Sequence, residues 1–172
     1  MIIDSVVVGD LAENCYIISK DNKCLILDPG DEANRIIDKV GEKEVLAILI
    51  THHHFDHVGA LDEIKNKYKV DIYDFNTTEE KEYNIGNFKF TVINNPGHTN
   101  DSISFYFKNE NTMFVGDFIF RNSIGRCDLG GNELDMKKSI EKLKEFKEDI
   151  ILYPGHGEKT NLEYEKVYNP FF

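Results

Sequence analysis

At 172 residues the chain lies in the single-domain range, and its 41% hydrophobic share is enough for one sizeable core. A formal charge of −11, from 31 acidic against 20 basic side chains, opposes the phosphate neutralisation that binding DNA or RNA requires. The longest purely apolar run, Val45 to Ile50, is far too short to span a bilayer, and Met1 to Val6 carries neither the basic segment nor the small-residue pattern of a secretory leader.

In chain order, Val6–Val8, Asn14–Ile18 and Lys23–Leu27 read as short strands separated by turn residues. Asp31–Val40 has the apolar spacing of a helix (Ile36, Ile37, Val40), Val45–Ile50 is a strand, and Ala60–Tyr68 a second helix. The polar stretch Asn76–Asn84 reads as a solvated loop or short helix between the strands Val70–Phe75 and Phe88–Ile93. Strands follow at Ser102–Phe107 and Thr112–Val115, then a helix over about Asp135–Phe146 and a strand at Ile150–Tyr153. One compact domain over residues 1–172, mixed α/β with strands dominant, is the expectation. Cys15, Cys24 and Cys127 are odd in number and lack C-x-x-C spacing, which suits free thiols in a reducing cytoplasm.

Polar clusters fall where strands end. Leu27 leads into Asp28-Pro29-Gly30, Ile50 into Thr51-His52-His53-His54-Phe55-Asp56-His57, Ile93 towards Pro96-Gly97-His98, Val115 into Gly116-Asp117, and Tyr153 into Pro154-Gly155-His156. Four of the six histidines sit in the second cluster alone. Neutral imidazoles and carboxylates are ligands that first-row divalent metals prefer, and strand ends are where mixed sheets gather sites. Alternation along an extended segment puts His52, His54 and Asp56 on one side, with His57 coming round as a helix begins, and turns His53 away as a non-ligand. Pro-Gly-His and a lone Gly-Asp are weak signals singly; they gain weight as a set.

That set, T-H-x-H-x-D-H followed by P-G-H, G-D and P-G-H-G, resembles the metallo-β-lactamase superfamily in motif order along the whole chain. The resemblance implies a four-layer αββα sandwich with metals at one edge. It implies that His52, His54 and His98 hold one divalent ion and Asp56, His57 and His156 a second, with Asp117 bridging them and Asp28 orienting a ligand by hydrogen bonding. Zinc fits this donor set, as do iron and manganese. Two ions about 3.5 to 4 Å apart generate hydroxide at neutral pH and receive a departing anion, so the implied chemistry is hydrolysis, with Asp56 and Asp117 part of the catalytic centre.

With five of six histidines taken as ligands, no imidazole is left to protonate an amine, whereas a thiolate leaves without that help because free thiols have a pKa of about 8.5. The segment Ser123-Ile124-Gly125-Arg126-Cys127-Asp128 is similar to the S-I-G-R-x-D stretch of glyoxalase II (hydroxyacylglutathione hydrolase) and its short bacterial relatives, which implies a small thioester of the S-lactoylglutathione type as partner. Arg126 is then a substrate contact or the ion-pair partner of Asp128. Full-length glyoxalase II carries a C-terminal helical domain that grips glutathione, and this sequence has no counterpart of it after His156. The rivals are a mononuclear iron persulfide dioxygenase, a lactonase or phosphodiesterase, and a non-catalytic metal scaffold. Asn169-Pro170-Phe171-Phe172 is an apolar latch on a monomer or part of a homodimer contact.

Overall fold

The computed structural model describes residues 1–172. A first sheet is built from β1 (Ile2–Val8), β2 (Glu13–Lys20), β3 (Lys23–Leu27), β4 (Glu44–Leu49) and β5 (Asp71–Tyr73), side by side in that order. The first three strands form an antiparallel meander, and β3, β4 and β5 run parallel. Parallel neighbours need crossovers, supplied by α1 (Ala33–Val40) and by α2 (Phe55–Val58) with α3 (Leu61–Tyr68).

The second sheet comprises β6 (Glu82–Ile85), β7 (Phe88–Asn94), β8 (Ile103–Phe107), β9 (Thr112–Gly116), β12 (Ile151–Pro154) and β13 (Thr160–Asn161), in the order β13-β12-β9-β8-β7-β6. A small hairpin, β10 (Ile119–Phe120) and β11 (Ser123–Ile124), and the helices α4 (Glu133–Lys144) and α5 (Leu162–Tyr168) complete the chain.

Alternation along the strands sorts the core into three layers. Cys15 and Ile17 of β2 and Cys24 and Ile26 of β3 pack with Ile36, Val40 and Ile64 of α1 and α3. The intervening Tyr16, Ile18, Leu25 and Leu27 meet Phe88, Phe90, Phe105, Phe107 and Phe114 of the second sheet. The opposite face of that sheet, with Tyr106, Met113 and Leu152, is covered by Met136, Ile140, Leu143 and Leu162 of α4 and α5. Three apolar cores between four layers make the expected αββα sandwich. Because β2, β3, β4, β8 and β9 are buried on both faces, their sequences run nearly continuously apolar.

Differences from the sequence reading lie at the periphery. Asn76–Asn84 is not wholly loop: from Glu82 it becomes β6, an edge strand paired antiparallel with β7 through Tyr83↔Phe90. Only Tyr83 and Ile85 of that strand pack inward, so its apolar signal is two residues long. The helix α5 goes unannounced by apolar spacing and is set by its cap, the Asn161 side chain accepting from Tyr164 N–H at 2.8 Å. Buried Glu165 on α5 then ties the 119–124 hairpin down, accepting from Asn122 N–H at 3.0 Å.

The joint between the sheets is aromatic. Phe114, fully buried, lies 5.2 Å from Tyr16, 5.7 Å from Phe107 and 5.1 Å from Tyr153, ring centre to ring centre. Phe114→Ala leaves a cavity between the sheets and is expected to cost about 3–5 kcal/mol in urea unfolding; a loss below about 1 kcal/mol would show that the joint closes without this ring.

Candidate metal centre

The strands β3, β4, β7, β9 and β12 all end at one edge, because β3 and β4 are parallel, β9 and β12 are parallel, and β7 and β9 both run against β8. Their carboxyl ends carry the five polar clusters. One ring nitrogen each of His52, His54 and His98 lie within 4.8 Å of one another. The same limit holds for a donor atom each of Asp56, His57 and His156, and for His52, His57 and Asp117. Asp117 sits between the groups: one oxygen is 3.3 Å from His57 Nε2 and the other 3.6 Å from both His98 Nε2 and His156 Nε2. His156 Nε2 is also 3.1 Å from Asp56 Oδ2.

The local backbone departs from the sequence expectation in one respect. The alternation of an extended chain places His52 and His54 together, ring centres 4.8 Å apart, but His54 is already the cap of α2. Asp56 therefore reaches the cluster from a helical turn and not from a continuing strand, while His57 comes round on the helix as expected.

Each of the five clustered imidazoles has its outer nitrogen occupied. His54 Nε2 meets Leu129 O at 2.9 Å, His98 Nδ1 meets Arg126 O at 2.6 Å, and His156 Nδ1 meets Leu11 O at 3.0 Å. Carbonyl oxygens only accept, so these ring nitrogens carry the proton and the inner ones present lone pairs. His57 Nδ1 donates to Asp28 Oδ2 at 3.0 Å, and His52 Nδ1 lies 3.1 Å from Thr51 Oγ1. Thr51 in turn donates its hydroxyl to Asp28 Oδ2 at 2.6 Å and its N–H to Oδ1 at 2.7 Å. Asp28, fully buried with φ 48°, thus braces two imidazoles at once, as the sequence suggested for one.

The inner atoms are correspondingly orphaned. His52 Nε2, His57 Nε2 and Asp117 Oδ1 are buried with no partner in the protein. His98 Nε2 and His54 Nδ1, both lone-pair nitrogens by the argument above, face each other at 2.8 Å. Two lone pairs at that distance repel unless a cation lies beside them, and with the orphaned nitrogens and the Asp117 carboxylate the residues fit divalent metal ions. Burial and neighbouring imidazoles keep His52 well below the ordinary histidine range, and burial lowers His98 too, which favours the neutral, ligating form. His57 is instead raised: burial opposes its charge, but Asp117 and Asp28 outweigh it, and Asp117 is held low by His57 although burial pushes the other way.

The remaining candidates separate cleanly. His53 points out of the cluster, with Asp101 at 2.5 Å and Asp74 at 3.1 Å on its two nitrogens. The Arg126 guanidinium forms a bidentate pair with Asp128, both bonds 2.6 Å, and both side chains are exposed. What Arg126 contributes to the cluster is its carbonyl. The carbonyls of Leu11 and Leu129 and the buried Glu13 were not legible in sequence: backbone acceptors have no residue signature, and Glu13 shows only as one charge opening an apolar strand. Burial pushes the Glu13 carboxyl up to about 10. Gly155 has a steric reason, since a Cβ there would overlap Asp117 Oδ1 and the His57 ring.

Comparison with known proteins gives a consistent family. The model of the metallo-beta-lactamase superfamily matches residues 8–75 and 71–156. Hydroxyacylglutathione hydrolase GloC of Haemophilus influenzae is 30% identical, the alignment covering 99% of this chain and 98% of that protein. Among solved structures, the BLEG-1 B3 metallo-beta-lactamase superposes with a TM-score of 0.93 at 31% identity over 99% of both chains. TTHA1623 in a di-iron-bound form superposes with a TM-score of 0.89 at 29% identity, over 98% of this chain and 100% of that one.

Asp117→Ala, which removes the carboxylate between the two groups, is expected to lower the number of divalent ions bound per chain, read by elemental analysis after dialysis. His53→Ala is expected to leave that number at the wild-type value. Equal losses from the two substitutions would overturn the assignment.

Proposed function

The chain belongs to the metallo-β-lactamase superfamily, and from that premise we propose that it is a dinuclear metal-dependent hydrolase of thioesters, of the S-lactoylglutathione type. In this reading His52, His54 and His98 hold one ion, Asp56, His57 and His156 hold the other, and the Asp117 carboxylate lies between. The ions are proposed to be zinc, with iron, the metal in the TTHA1623 structure, as the alternative. When bound they supply Lewis acidity and an activated water at neutral pH.

The observation that carries the substrate class is the state of the sixth imidazole. A hydrolase that expels an amine has to give it a proton, usually from a positioned acid. Here His53 is tied between Asp74 and Asp101, and the other five histidines, in the neutral form that ligates a metal, turn their only N–H outward to fixed acceptors. No imidazole in the cluster is free to donate. A thiol leaving group, with a pKa of about 8.5, departs as the anion and needs no donor. That argument favours a thioesterase over a lactamase, a choice that similarity leaves open, since the hydroxyacylglutathione hydrolase and the metallo-beta-lactamase named above are 30% and 31% identical.

The residues' own parts follow from the geometry. Asp28 and Thr51 fix the tautomers and ring angles of His57 and His52, so the lone pairs stay aimed inward with no reorganisation during turnover. Asp117 spreads negative charge over both groups and holds them together. Arg126 is proposed as a substrate contact through its exposed guanidinium once the pair with Asp128 opens. A cytoplasmic location and a monomeric or homodimeric state complete the proposal; no helix is long and apolar enough to cross a membrane.

Metal-loaded protein is expected to cleave S-lactoylglutathione and simpler thioesters, followed by released thiol, while hydrolysing a β-lactam such as nitrocefin at least about 100-fold more slowly, the scale of a missing proton donor. One iron per chain, with thiol-dependent oxygen uptake and no thioester cleavage, would overturn the hydrolase reading in favour of a dioxygenase.

A further inference from the structure

Glu13 opens β2 and is completely buried, yet neither of its carboxylate oxygens has a hydrogen-bond partner. A charged residue type placed so is costly unless something nearby depends on it. Its surroundings are specific. Oε1 lies 3.8 Å from His57 Nδ1, on the nitrogen already bound by Asp28. Oε2 packs on Gly30, where an added Cβ would come within 2.6 Å of it and would overlap the Asp56 carbonyl oxygen. The Glu13 backbone forms an isolated antiparallel bridge with His156, and the next residue donates its N–H to Gly155 O at 2.7 Å.

Asp56, His57 and His156 are the three residues assigned above to the second ion. Each of them leans on Glu13 or on the glycine it packs against. The other three are braced elsewhere, His52 by Thr51, His54 by Leu129 and His98 by Arg126. The buried carboxyl therefore sits under one half of the centre and not the other.

We propose that Glu13 is a positioning residue for the second ion alone, setting its affinity through the reach and shape of the side chain. This rests on the dinuclear reading above. Glu13 touches neither ion nor substrate; its side chain fills the space between the α2 turn and the Asp28-Pro29-Gly30 turn, while its backbone holds the turn that carries His156. Shortening it by one methylene lets the His57 ring and the Asp56 backbone sink towards Gly30, whereas an amide of equal length keeps them apart. Outer partners of metal ligands commonly matter by about 10- to 100-fold in affinity.

The test is zinc titration of metal-depleted protein against a chromogenic chelator, for wild type, Glu13→Gln, Glu13→Asp and Glu13→Ala. Thermal unfolding of each metal-free protein establishes that it is folded. Wild type is expected to take up two ions. Glu13→Asp and Glu13→Ala are expected to keep the first and bind the second about tenfold or more weakly, with Glu13→Gln restoring most of that loss. If Glu13→Ala does not fold, Glu13→Asp carries the same reading. Unchanged uptake in Glu13→Asp, equal weakening of both ions, or a Glu13→Gln as weak as Glu13→Asp would overturn the proposal. The ion count is read without substrate, so it is decided apart from thioester cleavage; a wild type that binds a single ion would remove the dinuclear reading and this inference together.

Discussion

Everything at this centre depends on where five imidazoles put their one N–H. Each gives it to an acceptor behind the ring: three backbone carbonyls, one carboxylate and one hydroxyl. The inner nitrogens are thereby left as lone pairs in the neutral rings, those of His52 and His57 buried and unpaired, beside the carboxylate of Asp117. In a low-dielectric interior such a cluster of acceptors is unfavourable by itself and becomes favourable around cations. Divalent ions held there would relieve that cost, which couples metal binding to folding stability.

The fold's contribution is to make that assembly rigid. Three stacked apolar cores hold two sheets so that five strand ends open on one edge, and the residues beyond them come from separate turns. Between the sheets, Tyr16 links packing to chemistry: its ring lies against Phe114, and its hydroxyl donates to Pro154 O at 2.7 Å, next to the turn that carries His156. Asn14 on the same strand donates to Pro154 O at 3.2 Å and Gly157 O at 3.0 Å. The strand β2 is thus a strut under the last candidate ligand as well as a core element. A cavity of about 590 Å³ between α4 and residues 124–127 shares the Gly125–Arg126 backbone with the centre, on the outer side of His98.

Much of this was legible in the sequence. The T-H-x-H-x-D-H run and the Pro-Gly-His and Gly-Asp turns named the clustered side chains, because metal ligation demands particular residue types and those types are conspicuous after apolar strands. Doubly buried strands announced themselves as unbroken apolar runs. Elements held by other means did not: β6 exists by pairing with β7, and α5 by the Asn161 cap and the bonds of Glu165.

The sequence by itself determined which donor atoms exist and that they follow strand ends, since residue chemistry and the period of the strands are local properties. Tertiary structure alone decided which nitrogen of each histidine faces inward, that Asp28 braces two rings through Thr51, that His53 is diverted to Asp74 and Asp101, and that Glu13 lies under one half of the centre. These depend on partners far away in the chain, many of them backbone carbonyls, and a backbone carbonyl looks the same in every residue.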